Sequence, residues 1–212
     1  MNLYVFGQIS SKLVNITIKK IVETPTEDEN IVVYINSEGG DRDCDTAIYE
    51  ALRLSGKNII TYAVHEVYSA AITIFMAGDK RYAHRGSQFM IHEIYHEVYS
   101  EKKTVENYEK DLKELKTSTD DYFKLIAGRS KLTRPRIRNE VKKAHENDWY
   151  FNAKAAKTYG IVTDIGLPII PAVKSEDEDE TFEYIINTEE DDEQSLDDRS
   201  EDVVDLNKVA SS

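Results

Sequence analysis

The chain predicts an α/β fold with a mainly parallel sheet, followed by an acidic appendage, on two observations. Short β-branched or apolar runs alternate with stretches of helical spacing, the order that lays helices against a parallel sheet. Charge is divided unevenly. Of the 27 basic and 40 acidic residues among 212, the segment from Lys174 to Ser212 holds 3 and 16, leaving 24 of each in residues 1–173. The body is therefore neutral, and the net charge of −13 belongs to the tail. We expect one domain over residues 1–173. Residues 174–212 have too few large apolar side chains to offset the entropy of ordering them and are expected to be disordered. Phe182–Ile186 is the tail's one candidate for docking.

Leu3–Phe6, apolar and closed by Gly7, reads as the first strand. Ser10 to Val22 carries Leu13, Val14, Ile16, Ile18 and Ile21 as a largely buried helix, ended by Pro25 and the Thr26–Asn30 cluster. Ile31–Ile35 is continuous and β-branched, as in a central strand covered on both faces. Asn36-Ser37-Glu38-Gly39-Gly40 then reads as a sharp turn. Asp41 to Leu54 reads as a helix with acids in its first turn and Gly56 beyond its end. Asn58–Val64 is the next strand, and Ser69–Ala77, closed by Gly78, a short apolar helix. Arg81–His84 and Gln88–His92 are strand-like runs around Arg85-Gly86-Ser87. From Thr104 to Ala127, Val105, Tyr108, Leu112, Leu115, Tyr122 and Leu125 recur at helical spacing, predicting a helix of ~35 Å. Thr133-Arg134-Pro135 opens a further helix. Trp149–Phe151, a helix from Ala153 to Tyr159 and Ile161–Ile165 complete the body.

Several function classes fall away. No stretch approaches ~18 consecutive apolar residues, so no membrane span is expected. The N-terminus has neither the basic region nor the cleavage pattern of a secretion signal. Cys44 alone can form neither an internal disulfide nor a zinc site, and reads as a small core residue. Asp41-x-Asp43-x-Asp45 lacks the glycine and closing Glu of a calcium loop, and first-turn acids account for it. No basic stripe is available for phosphates, and the acidic tail repels nucleic acid. We expect a cytoplasmic protein with no cofactor or metal of its own.

The pieces that could carry chemistry are each ordinary alone. Ser69 opens an apolar helix, where a serine ordinarily caps by accepting a backbone N–H. No Gly-x-Ser-x-Gly elbow surrounds it. Gly39-Gly40 joins a buried strand to a helix, an arrangement that frees backbone N–H groups for an anion or simply turns the chain. His92 ends a strand, and Asp148 precedes Trp149-Tyr150-Phe151.

Taken in order the pieces are distinctive. Asn36-Ser37-Glu38-Gly39-Gly40, Ser69 before an apolar helix ending Met76-Ala77-Gly78, and Phe89-Met90-Ile91-His92 resemble the proteolytic subunit of the Clp protease, the ClpP family. Asp148, Ala153 through Ala156, and Tyr159-Gly160-Ile161-Val162 ahead of Asp164-Ile165 extend the resemblance, which runs from about Leu3 to Leu167. It implies a ClpP/crotonase-type fold of repeated β-β-α units with a long protruding handle helix, here Thr104–Ala127. It also implies a serine endopeptidase with Ser69 as nucleophile, His92 as general base and Asp148 orienting the imidazole. The backbone N–H groups of Gly40 and Ala70 stand at the family's oxyanion-hole positions. Heptameric rings paired into a tetradecamer, unfolded polypeptide substrates and an ATP-consuming AAA+ unfoldase are implied as partners. No Gly-x-x-x-x-Gly-Lys-Ser/Thr is present for nucleotide in this subunit. His65, His84, His96 and His145 have no family role and are expected at the surface.

Four departures stand out. The chain starts almost at the first strand, so the family's N-terminal axial segment is expected to be missing or reduced. Glu38 replaces the family's Pro before Gly-Gly. Tyr68 and Ala71 replace smaller residues beside the serine, bulk expected to narrow the cleft or shift the nucleophile. Glu93 to Tyr99 lacks the glycines of the family's substrate-pairing strand. Alternatives are a catalytically inactive ring subunit, a virus-encoded relative maturing capsid or scaffold proteins without an unfoldase, and a crotonase-type acyl-CoA enzyme.

Overall fold

The continuous β-branched runs assemble into a parallel sheet. In a computed structural model describing residues 1–95 and 104–167, β1 (Asn2–Ile9), β2 (Asn30–Gly40), β3 (Asn58–Tyr68), β4 (Lys80–Ala83) and β7 (Asp164–Ile165) lie side by side in that order, all parallel. Val5, Ile31, Val33, Ile35, Ile59 and Ala63 are fully buried between the layers. Two helices, α1 (Ser11–Val22) and α2 (Arg42–Leu54), pack on each other, and α2 also packs on the short α3 (Ala70–Phe75). Ser10 and Asp41 cap the first two helices by accepting first-turn N–H groups. Tyr4, Tyr34, Tyr62 and Tyr82 pair in register across four strands, with Tyr4 and Tyr34 stacked at 5.3 Å.

The long β3 is shared. Ile60–Ala63 pair with β4, whereas Glu66–Tyr68 pair with β5 (Gln88–Ile91), which also binds β6 (Trp149–Asn152) antiparallel. The Ser87 hydroxyl donates to the Ala63 carbonyl (2.8 Å) and its carbonyl accepts from Ala153 (3.0 Å), fixing the branch. Phe75, Phe89, Phe151, Trp149 and Tyr159 form a chain of ring contacts beside it at 4.8–5.7 Å, with Phe89 and Phe151 stacked. After β5 come α4 (Val105–Gly128), α5 (Arg134–Lys143), a 3-10 turn (His145–Asn147) and, beyond β6, α6 (Ala153–Tyr159). The 24 residues of α4 bury only Thr119, Tyr122, Phe123 and Ile126, all in its second half, while Tyr108, Leu112 and Leu115 of its first half line a cavity.

Two expectations are corrected. Asn36 to Gly40 is strand rather than turn, because β1 runs on beside it and pairs Gln8 with Gly39 and Ile9 with Gly40. The last strand is only Asp164–Ile165, because the N–H groups of Ile161 and Val162 go to the Ala156 carbonyl (3.0 and 3.2 Å) and the Ile161 carbonyl accepts from Arg81 Nε (2.7 Å). The tail expectation over 174–212, including Phe182–Ile186, lies outside the described residues.

Candidate active site

Four junctions converge on one cavity of about 1070 Å³, whose wall includes Gly40, Ser69, Ala70, His92 and Asp148. All lie where strands of the sheet end or begin. The ladder registers explain the convergence. Tyr68 pairs with Met90 in parallel, which sets Ser69 beside the end of β5. Ile91 pairs with Trp149 in antiparallel, which makes His92 and Asp148 the next facing positions.

Ser69 departs from its ordinary role. Its φ of 52° and ψ of −121° lie outside the regions that side-chain-bearing residues favour, a conformation costing ~1–3 kcal/mol. It makes no side-chain capping bond, so the simplest reading of a serine at a helix start does not hold. Its Oγ lies 2.6 Å from His92 Nε2 instead. The main chain around it is pinned on both sides. Ser69 N–H donates to the Met90 carbonyl (2.9 Å), and the Ser69 carbonyl accepts from Ile72 N–H (3.0 Å) and the Tyr122 hydroxyl (3.0 Å).

His92 is 7% exposed, and burial holds its pKa below the ordinary histidine value while the nearby Asp148 charge pulls the other way. The ring is therefore neutral near pH 7 and able to accept a proton. Asp148 shares the cavity and acts on His92 through its charge, but the two make no hydrogen bond. Asp148 follows Glu146 and Asn147 at φ 56° and 65°, and its own N–H is tied to the His145 carbonyl at 3.0 Å.

The glycines are required sterically. A Cβ on Gly39, at φ +109°, would stand 2.8 Å from Ser69 Cβ and 3.2 Å from the Ala70 nitrogen. One on Gly40 would meet the Ile9 carbonyl at 2.3 Å. The Ser37 hydroxyl accepts from Gly39 N–H (3.1 Å), and Asn36 Oδ1 accepts from Glu66 N–H (3.0 Å) where the β2–β3 register shifts. Sequence reasoning missed both roles. A polar pair interrupting an apolar strand was the available signal.

Among the expected departures, Glu38 does line the cavity, but Tyr68 and Ala71 do not. Tyr68 turns its ring edge-on to Tyr150 at 5.5 Å and donates its hydroxyl to Glu66 (3.4 Å), so its bulk leaves the cavity open. Ala71 is buried. His65, His84 and His145 are exposed as expected, and Cys44 is buried. His96 and the rest of the segment to Tyr99 lie outside the described residues. Asp45 was read as a first-turn acid of an ordinary kind, yet it is fully buried against Arg42. Among the described residues, no group of three or more His, Cys, Asp or Glu is placed to hold a metal ion, and no helix is long and apolar enough to cross a membrane.

Known proteins carry the same framework. The family description "Clp protease" matches residues 2–167. The ATP-dependent Clp protease proteolytic subunit 2 of Borreliella burgdorferi is 27% identical over 168 residues, spanning 77% of this chain and 81% of that protein. Its counterpart in Pseudomonas aeruginosa is 24% identical over 165 residues, spanning 76% and 79%. Among solved structures, a point mutant of ClpP1 from Listeria monocytogenes matches with a TM-score of 0.69 and 22% identity, covering 79% of this chain and 92% of that one, so the two share a fold. With the family match covering nearly the whole described chain and the same fold recovered independently, this protein belongs to the Clp protease family.

Proposed function

We propose that the protein is a serine endopeptidase of the ClpP type, acting on unfolded polypeptides inside a ring of its own subunits. The observation that carries this is the 2.6 Å approach of His92 Nε2 to Ser69 Oγ, made by a serine held in a strained, uncapped conformation on a cavity wall. His92 takes the hydroxyl proton as Ser69 Oγ adds to the scissile carbonyl, then returns it to the leaving amine as the C–N bond breaks. Water repeats the sequence on the acyl-enzyme. The N–H groups of Gly40 and Ala70 receive the oxyanion, a donor of that kind being worth ~3 kcal/mol in the barrier. Asp148 stabilises the imidazolium by its charge. Assembly into rings and feeding by an ATP-driven unfoldase are carried over from the family, whose relatives here are named as subunits of an ATP-dependent protease.

A second reading is a ring subunit that is inactive, or active only with a partner. The missing hydrogen bond between Asp148 and His92 favours it, although catalytic bonds are often loose before substrate binds. Fluorophosphonate labelling of the purified protein separates the two. Labelling that disappears in Ser69→Ala and in His92→Ala supports the peptidase, and an unlabelled assembled protein supports the second reading.

A further inference from the structure

We propose that Tyr122 of α4 is a positioning residue for Ser69, its hydroxyl holding the Ser69 carbonyl so that Oγ faces His92, with Arg42 and Asp45 bracing the phenol from behind. The assignment rests on Ser69 being the nucleophile.

A serine at φ 52° stays there only where its surroundings outweigh the strain. Returning to an ordinary φ swings its carbonyl or its N–H. The N–H is held by β5 through Met90, and the carbonyl by Ile72 one turn on and by Tyr122, 53 positions away. Tyr122 thus supplies the side-chain grip from a separate element. It is 1% exposed, so the phenol is held in place by packing and reaches the carbonyl from a fixed position. Burial first and the Asp45 charge second push its phenol ionisation far up, so the hydroxyl remains a donor at every working pH.

The phenol is itself braced. The Arg42 guanidinium lies over its ring at 5.3 Å, and Nη1 donates to Asp45 Oδ1 (2.5 Å) and to the Thr73 hydroxyl (2.9 Å). Asp45 and Thr73 are fully buried, and Asp45 Oδ2 has no hydrogen-bond partner. A fully buried carboxyl with an unpaired oxygen is a costly way to pack a helix, even beside a partly buried Arg42, and an apolar residue at 45 would fill that space without the desolvation cost. What the pair adds is a rigid plane against Tyr122. Sequence, which shows Tyr122 only as one position of a long helix, conceals the connection.

The test is the saturation kinetics of fluorophosphonate labelling on the full chain, with thermal melting measured alongside. Tyr122→Phe removes the hydroxyl and keeps the ring. We expect its saturating rate to fall about tenfold, equivalent to about 1.4 kcal/mol, with the half-saturating concentration unchanged. Arg42→Lys keeps a charge for Asp45 but loses the stacked plane, and should lower the saturating rate about threefold. Should Tyr122→Phe fail to fold, Arg42→Lys decides by itself. Unchanged saturating rates in folded variants, or an effect confined to the half-saturating concentration, overturn the positioning role while the nucleophile reading stands. Absence of labelling in the wild type, or labelling that survives Ser69→Ala, removes the nucleophile reading and this inference with it.

Discussion

Asp45 sets two large effects against each other, and pH tells which wins. Its carboxyl is fully buried with Oδ2 unpartnered, which penalises the charge, while Arg42 at 2.5 Å favours it. Burial dominates and raises the pKa from 3.8 to about 7. Below about pH 4 the folded and unfolded chains both hold the proton. Between about 4 and 7 only the folded chain does, so each unit of rising pH costs the folded state about 1.4 kcal/mol; above 7 neither holds it. From pH 5 to pH 8 this one group should therefore remove about 2–3 kcal/mol of stability. Asp45→Asn keeps the Oδ1 acceptor for Arg42 and cannot titrate. Urea unfolding of both proteins at pH 5 and pH 8 isolates the effect, because every other titrating group, His92 included, is common to the two. The wild type should lose about 2–3 kcal/mol more than the variant over that interval. Parallel pH dependences would refute the reasoning and mean that Arg42 keeps Asp45 ionised throughout.

Three further expectations concern the site and its supports. Because burial lowers the His92 pKa, the labelling rate should rise with pH through an inflection below 6.5 and then level off; Asp148→Asn, which removes the opposing charge, should move that inflection lower and cut the plateau at least tenfold. An inflection above 6.5 would contradict the assignment of burial as the leading cause. Gly39→Ala places a Cβ 2.8 Å from Ser69 Cβ and 2.9 Å from the Tyr68 carbonyl, and should reduce labelling more than tenfold at a stability cost of ~1–3 kcal/mol; unchanged labelling would show that the end of β2 does not constrain Ser69. Arg81, buried by the sheet edge, donates to the carbonyls of Gly78, Arg129, Gly160 and Ile161, and Arg81→Met should cost about 3 kcal/mol or more in urea unfolding by orphaning them, whereas a loss under about 1 kcal/mol would mean that those carbonyls find other donors.

The placement of Ser69, His92 and Asp148 at element ends was legible in the chain for particular reasons. Ser69, His92 and Asp148 sit at element ends, and element ends are what apolar runs, glycines and aromatic clusters mark. Gly39 and Gly40 were legible as a pair because no other residue fits, although their place within a continuing strand was not. That required β1 beside them, a contact made by residues some thirty positions earlier. Tyr68 misled for a related reason. Side-chain size is written in the sequence, but the direction that takes its ring to Tyr150 is set by the sheet.

The sequence by itself determined the alternation of strands and helices, the neutral body and acidic tail, and the residue types at the site, because these depend on local periodicity, composition and short spacing. Tertiary structure alone decided three things. It joined Ser69 to His92 through the β3–β5 register while leaving Asp148 short of a hydrogen bond. It turned Asp45 from a helix-start acid into a buried titrating group. It brought Tyr122 from a distant helix onto the Ser69 carbonyl. Each depends on which face of an element meets another across tens of residues, and that choice belongs to packing, where burial and hydrogen-bond satisfaction are settled for the whole molecule at once.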